Sequence, residues 1–173
     1  MMKLDDDDFT LFGVPKRQAQ DRANIDARWR ALQGEVHPDR FAAEGAAAQR
    51  LAMQWAVRVN EAYRRLKDPL QRAAYLCELR GVPVDAESNT AMPAAFLMQQ
   101  MEWREALDAA DGRSAVDALV DAVDLYESTL LRELQTSLDE SGDTAAAAQT
   151  VRSLMFVRRF REDLERRLDK LDA

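Results

Sequence analysis

The chain has 173 residues, of which 47% are hydrophobic, with six Gly, five Pro, one Cys and one His, enough for one ordinary domain or two small ones with packed cores. Long Ala/Leu/Arg/Glu/Gln stretches with almost no alternating β-branched runs predict an all-α protein, and the lone Cys77 excludes an internal disulfide and a cysteine-built metal site. A net charge of −7 argues against general nucleic-acid binding, no apolar run approaches the roughly 20 residues that span a bilayer, and Asp5-Asp6-Asp7-Asp8 is unlike a basic leader, so the cytoplasm is the expected compartment.

The charge is unevenly spread. Residues 9–78 carry 12 basic and 8 acidic side chains, whereas 79–173 carry 11 basic and 19 acidic ones. Opposite signs in the two halves point to two modules with different partners.

At the amino end, Phe9 to Pro15 reads as a short apolar helical turn stopped by Gly13 and Pro15, suited to plug a helix pair. From Asp21 to Val36, apolar Ile25, Trp29, Leu32 and Val36 recur on one helical face. Pro38 lacks a backbone N–H and pushes its predecessor out of the helical region, so the helix stops at Val36-His37-Pro38. A second helix is expected from about Ala47 to Leu66, with the stripe Leu51, Trp55, Val59, Ala62 and Leu66, ended by Asp68-Pro69. Two such helices pack antiparallel and present His37-Pro38-Asp39, which holds the chain's only histidine, at their exposed connection. Phe41 and Tyr63 suit the core.

Two prolines, a Gly and small polar residues mark 81–93 as a linker. Beyond it, a helix over about Ala94 to Ala110 is closed by Asp111-Gly112. Ser114 with Asp117 resembles a capping box opening a helix with the stripe Val116, Leu119, Val123, Tyr126, Leu130 and Leu134. Gly142-Asp143 ends the next turn, and the last helix repeats Leu154, Val157, Leu164, Leu168 and Leu171 near heptad spacing. The three should form a bundle over 94–173.

In the helix from Ala94, Phe96, Trp103, Leu107 and Ala110 share one sector, a natural core face. Leu97, Met98 and Met101 fall on the roughly opposite side with Glu102 and Glu105, and Phe156 departs from the apolar line of the last helix. An apolar patch with acidic neighbours marks a partner surface, and Met makes such a patch adaptable. The alternative is that these residues face an interdomain interface. Neither the one His nor the one Cys sits in a catalytic motif, and no Gly-rich phosphate loop appears. The chain is therefore expected not to be an enzyme and to act on chemistry through a partner.

In order and spacing, Phe9 to Val14, His37-Pro38-Asp39-Arg40-Phe41, Asn60-Glu61-Ala62-Tyr63-Arg64-Arg65-Leu66, Asp68-Pro69 and Arg72-Ala73-Ala74-Tyr75-Leu76 resemble a J domain, here residues 1–80. With Tyr75 to Leu79, Ala95-Phe96-Leu97-Met98 and the helical carboxy-terminal half, the whole chain resembles the HscB family of J-type co-chaperones for iron–sulfur cluster assembly. That resemblance implies a DnaK-class chaperone ATPase of the HscA type as one partner, contacted by His37, Pro38, Asp39 and Arg40 together with a basic stripe for which Arg22, Arg28 and Arg30 are the candidates. It implies an iron–sulfur scaffold protein of the IscU type as the other, bound through Leu97, Met98, Met101, Glu102, Glu105 and Phe156. The chain departs from the family pattern at Arg40, where Lys is common, at Val36, where an aromatic is usual, at Gly34-Glu35, which dilutes the basic stripe, and at Ala109, often acidic. The paired cysteines of an amino-terminal zinc site carried by some members are absent, so no bound metal, cluster or other cofactor is expected. A J protein for general unfolded clients, or a helical module in which His37-Pro38-Asp39 is only a turn, are the alternative readings.

Overall fold

The computed structural model describes residues 2–85 and 92–173, and within them every regular element is helical. Of the expected linker 81–93, residues 86–91 lie outside the described part. The chain divides into two compact units, Met1–Leu76 and Cys77–Ala173. That division falls inside a helix, ahead of the boundary at residue 80 suggested by the Gly and Pro that follow.

In the first unit, α1 (Asp8–Phe12) starts where the Asp7 carboxylate accepts the Thr10 N–H at 2.9 Å. It stops at Gly13, whose φ of +64° lets the N–H groups of Gly13 and Val14 turn back to the carbonyls of Thr10 and Phe9. Phe9, Leu11 and Phe12 are buried. Asp21 caps α2 (Arg22–Val36) by accepting the Ala23 N–H at 3.0 Å. Ile25, Leu32 and Val36 are buried along it, while Trp29 is half-buried, stacked on Tyr63 at 4.4 Å and donating Nε1–H to Asn60 Oδ1 at 2.9 Å.

α3 (Ala46–Lys67) runs back along α2: Gln33 meets Asn60, Asp26 meets Tyr63 and Arg22 meets Lys67. Val59, Ala62 and Leu66 are buried as the stripe predicts, but Leu51 is exposed and Ala52 takes the core position. The reason is local. The chain between the helices is a 3-10 segment, Pro38–Glu44, that contributes no buried residue and leaves the first turns of α3 partly uncovered.

Asp68-Pro69 does more than end α3. Asp68 Oδ1 accepts the Leu70 N–H at 3.1 Å, and Pro69 occupies a first-turn position where its missing N–H costs nothing, so a further helix, α4 (Pro69–Leu79), begins at once. Buried Arg72 secures it, donating to the carbonyls of Gln18 and Leu66.

The second unit holds the three expected bundle helices, α5 (Ala94–Ala109), α6 (Arg113–Thr136) and α7 (Thr144–Asp172). Phe96, Trp103 and Leu107 meet Val116, Leu119 and Val123 from α6 and Val157, Phe160 and Leu164 from α7 in one apolar core. Trp103 anchors it, stacked on Phe160 at 5.6 Å and edge-on to Tyr126 at 5.0 Å. The Ser114/Asp117 capping box does not form. α6 already begins at Arg113 behind Gly112, which lies at φ +91°, and Asp117 pairs with Arg113 one turn earlier instead. At its far end α6 passes into one wide π turn, Ser137–Ser141, before Gly142 breaks it and Asp143 caps α7.

Candidate functional site

The first site is the end of the α2–α3 hairpin. Pro38 holds His37 in an extended conformation, φ −60° and ψ 129°, and then starts the 3-10 segment. The His37 ring folds over the turn so that Nδ1 accepts the Asp39 N–H at 3.2 Å, while the His37 carbonyl takes the Arg40 N–H at 3.0 Å. With Nδ1 used as an acceptor, the neutral ring carries its proton on Nε2. The His37 side chain is 59% exposed and the Asp39 side chain 93% exposed, so a fixed backbone carries an outward imidazole and an outward carboxylate.

The four arginines are not one stripe. Arg22 and Arg30 lie on the same side of the buried α2 line, whereas Arg28 lies about 200° round the helix from Arg30, its guanidinium close over Gly13. Arg22 is engaged at home, donating to Asp26 at 2.9 Å and to the Lys67 carbonyl at 3.2 Å. The Asp26 hydrogen bond raises its pKa, and Arg22 with the Tyr63 hydroxyl holds the Asp26 carboxyl below the usual range. Arg40 turns back to donate to the Gly34 carbonyl at 2.8 Å, closing the carboxy-terminal turn of α2. The Arg30 side chain is exposed and adds to the charge that lowers the Asp26 carboxyl. Tyr63 and Phe41, expected in the core, are half-buried.

The second site is the outer face of α5. Leu97, Met98 and Met101 are 44%, 63% and 64% exposed, and Glu102 and Glu105 are exposed beside them. Leu97, Gln100, Met101, Arg104 and Glu105 line a shallow depression of about 510 Å³. Phe156 is set differently. It is half-buried on α7 against the bundle core, with the Arg159 guanidinium 5.2 Å from its ring, and is not among the residues lining that depression. Arg104 is a neighbour that the sequence pattern did not single out. As the sole base of α5 it bridges to Asp163 on α7 at 3.0 Å and lies over Phe160. Among the described residues no group of three or more His, Cys, Asp or Glu is placed to hold a metal, and no helix is long and apolar enough to cross a membrane.

Residues 92–165, essentially the bundle, match the family model described as the HSCB C-terminal oligomerisation domain. A co-chaperone protein HscB homolog of Burkholderia multivorans is 52% identical over the full length of both chains, and one of Burkholderia vietnamiensis is 51% identical over the same extent. The chain belongs to the HscB co-chaperone family. Chaperone HscB from Vibrio cholerae superposes with a TM-score of 0.83 at 36% identity, covering 96% of this chain and 99% of that one. The human co-chaperone HscB shares the fold, with a TM-score of 0.90 at 24% identity over 99% of this chain and 86% of its own. The all-helical two-unit architecture is thus that of HscB, and the His37 loop and the α5 face are its two outward-facing candidates for partner contact.

Proposed function

We propose that this HscB-family chain is a two-site adaptor. Its first unit, the J domain, docks through His37, Pro38 and Asp39 on a DnaK-class chaperone of the HscA type and stimulates ATP hydrolysis there. Its bundle carries an IscU-type iron–sulfur scaffold on Leu97, Met98, Met101, Glu102 and Glu105, with Phe156 at the border, so that the scaffold is presented as the chaperone closes. The assembly works in the cytoplasm, and the cluster is the scaffold's cargo. The chain itself supplies contacts rather than an active site.

The observation that carries this reading is the pairing of an exposed Asp39 carboxylate with a backbone fixed by Pro38 and by the His37 ring. A carboxylate held this way forms a charge-assisted hydrogen bond with a basic group on the ATPase at small entropic cost. Docking accelerates hydrolysis to the extent that it is tighter to the hydrolysis-competent state. Of the basic stripe, exposed Arg30 is best placed to steer encounter with an acidic patch, and Arg22 shares its side of α2. Holding scaffold and chaperone on one chain raises the effective concentration of one for the other.

Single-turnover ATP hydrolysis by the purified chaperone tests it, with and without scaffold, for the wild type and His37→Gln. Stimulation that grows with scaffold and disappears in the variant supports the adaptor. No stimulation by the wild type reduces the loop to a turn and leaves a helical binding module, and stimulation equally served by denatured proteins points to general clients.

A further inference from the structure

The segment ahead of α1 lies along α3 in a regular way. Arg65, Arg58 and Leu51 are spaced seven residues apart, so they fall on nearly one line down α3 with about 10 Å between steps. At Arg65 the segment is clamped by Asp8, a fully buried carboxylate bonded to Arg65 Nε at 2.6 Å and to Arg58 Nη2 at 2.8 Å. At Arg58 it is held again, through the carbonyls of Asp6 at 2.8 Å and Leu4 at 3.2 Å. Between them Lys3 and Asp6 close a turn on themselves, N–H to carbonyl at 3.1 Å and N–H to carboxylate at 2.9 Å. At the Leu51 level Met2 lines a cavity of about 460 Å³ with apolar Val36, Phe41, Leu51 and Trp55 and with the carboxylates Glu35 and Glu44. Val36 immediately precedes His37 and Phe41 immediately follows Arg40, so this apolar groove is continuous with the docking loop.

We propose that Met2–Asp7 is a strap whose apolar end, Met2, covers the groove beside the His37 loop and must leave when the chaperone docks. The proposal rests on the chaperone-docking reading above and adds its regulation. Two properties make the strap an opponent of docking. Met2 occupies apolar ground bordering both ends of the loop. The strap also carries Asp5, Asp6 and Asp7, the last paired with Lys16 at 2.9 Å, on a unit whose remaining charge is net basic, which opposes an acidic partner patch. The attachment is graded as such a device requires. Asp8 is fixed in the core, whereas beyond Arg58 no backbone hydrogen bond ties Met2 to α3 among the described residues, so the tip can lift without unfolding α1.

A strap closed nine-tenths of the time weakens apparent docking about tenfold, because only the open fraction binds. The test is the concentration of this protein giving half-maximal chaperone ATPase stimulation, for wild type, Met2→Asp, Met2→Leu and His37→Gln. Met2→Asp, which expels the tip from apolar surroundings, is expected to lower that concentration by about threefold to tenfold, while Met2→Leu, which refills the groove, stays at the wild-type value. An unchanged or raised concentration for Met2→Asp, with the wild type active and His37→Gln inactive, overturns the strap alone. Absence of stimulation by every form, wild type included, overturns the docking reading and the strap with it.

Discussion

The Nδ1 atom of His37 accepts the backbone N–H of Asp39 at 3.2 Å, so the only histidine of the chain is part of the turn it decorates. One ring nitrogen fixes the geometry and the other, Nε2, is left as an outward donor. Asn can imitate the first role, since its side-chain oxygen bonds the N–H two residues on, but it cannot reach where Nε2 points. His37→Asn is therefore expected to keep the Asp39 amide protected from hydrogen exchange while stimulation of the chaperone falls at least tenfold. His37→Ala loses both. If His37→Asn retains stimulation, the donor on Nε2 is not what the partner reads.

Asp8 supplies a second separable effect. It is fully buried and satisfied by two arginines, and the Asp8 hydrogen bonds shift the Arg65 guanidinium toward an even higher pKa. Removing one partner of a buried pair leaves the others uncompensated, which costs about 3 kcal/mol where the arginines are partly reached by solvent. Asp8→Ala should lower the melting temperature of the first unit by roughly 12 to 24 °C and leave melting of an isolated bundle transition in place. Calorimetry with two resolved transitions reads this directly.

Much of the fold can be read from the chain because helical periodicity is a strong signal where one face is buried. The α6 stripe and the opposed faces of α5 are found where the 3.6-residue period puts them. What was not legible depends on groups distant in sequence. The tetra-aspartate reads only as unlike a basic leader until Arg58 and Arg65, at least fifty residues away, are known to face Asp8. Arg28 and Arg40 look interchangeable with Arg22 and Arg30 as basic candidates, yet one leans on Gly13 and the other caps α2. α4 was hidden because Asp-Pro reads equally as the end of one helix and the start of the next.

Acid should loosen the α2–α3 hairpin at a particular contact. Asp26 accepts from Arg22 and Tyr63, and both lower its pKa in the folded state. A carboxyl whose folded pKa is depressed contributes stability that is fully present above its unfolded value, near 3.8, and is lost as pH falls through the lower folded value. Asp26→Asn should thus cost stability at neutral pH and cost progressively less toward about pH 2. Urea denaturation of both forms across that range checks it, and a difference independent of pH would assign the loss to packing instead.

The two faces of α5 allow binding and stability to be taken apart within one helix. Leu97 and Met101 point outward on the depression that Arg104 and Glu105 share, while Trp103, two residues from Met101, is buried between Phe160 and Tyr126. Truncating an exposed side chain usually changes stability by less than about 0.5 kcal/mol, whereas emptying a Trp site in a core costs about 3 to 5 kcal/mol. Leu97→Ala with Met101→Ala should leave the melting temperature unchanged and weaken scaffold binding by about 10 to 100-fold, the size expected for two anchor residues. Trp103→Ala should do the reverse at first sight: a large drop in melting temperature, with binding lost only in proportion to the unfolded fraction. Titration calorimetry and thermal denaturation on the same preparations distinguish them. If the double variant binds the scaffold as tightly as the wild type, the outer face of α5 is not the binding surface, whatever its exposure, and the scaffold must be sought elsewhere on the bundle.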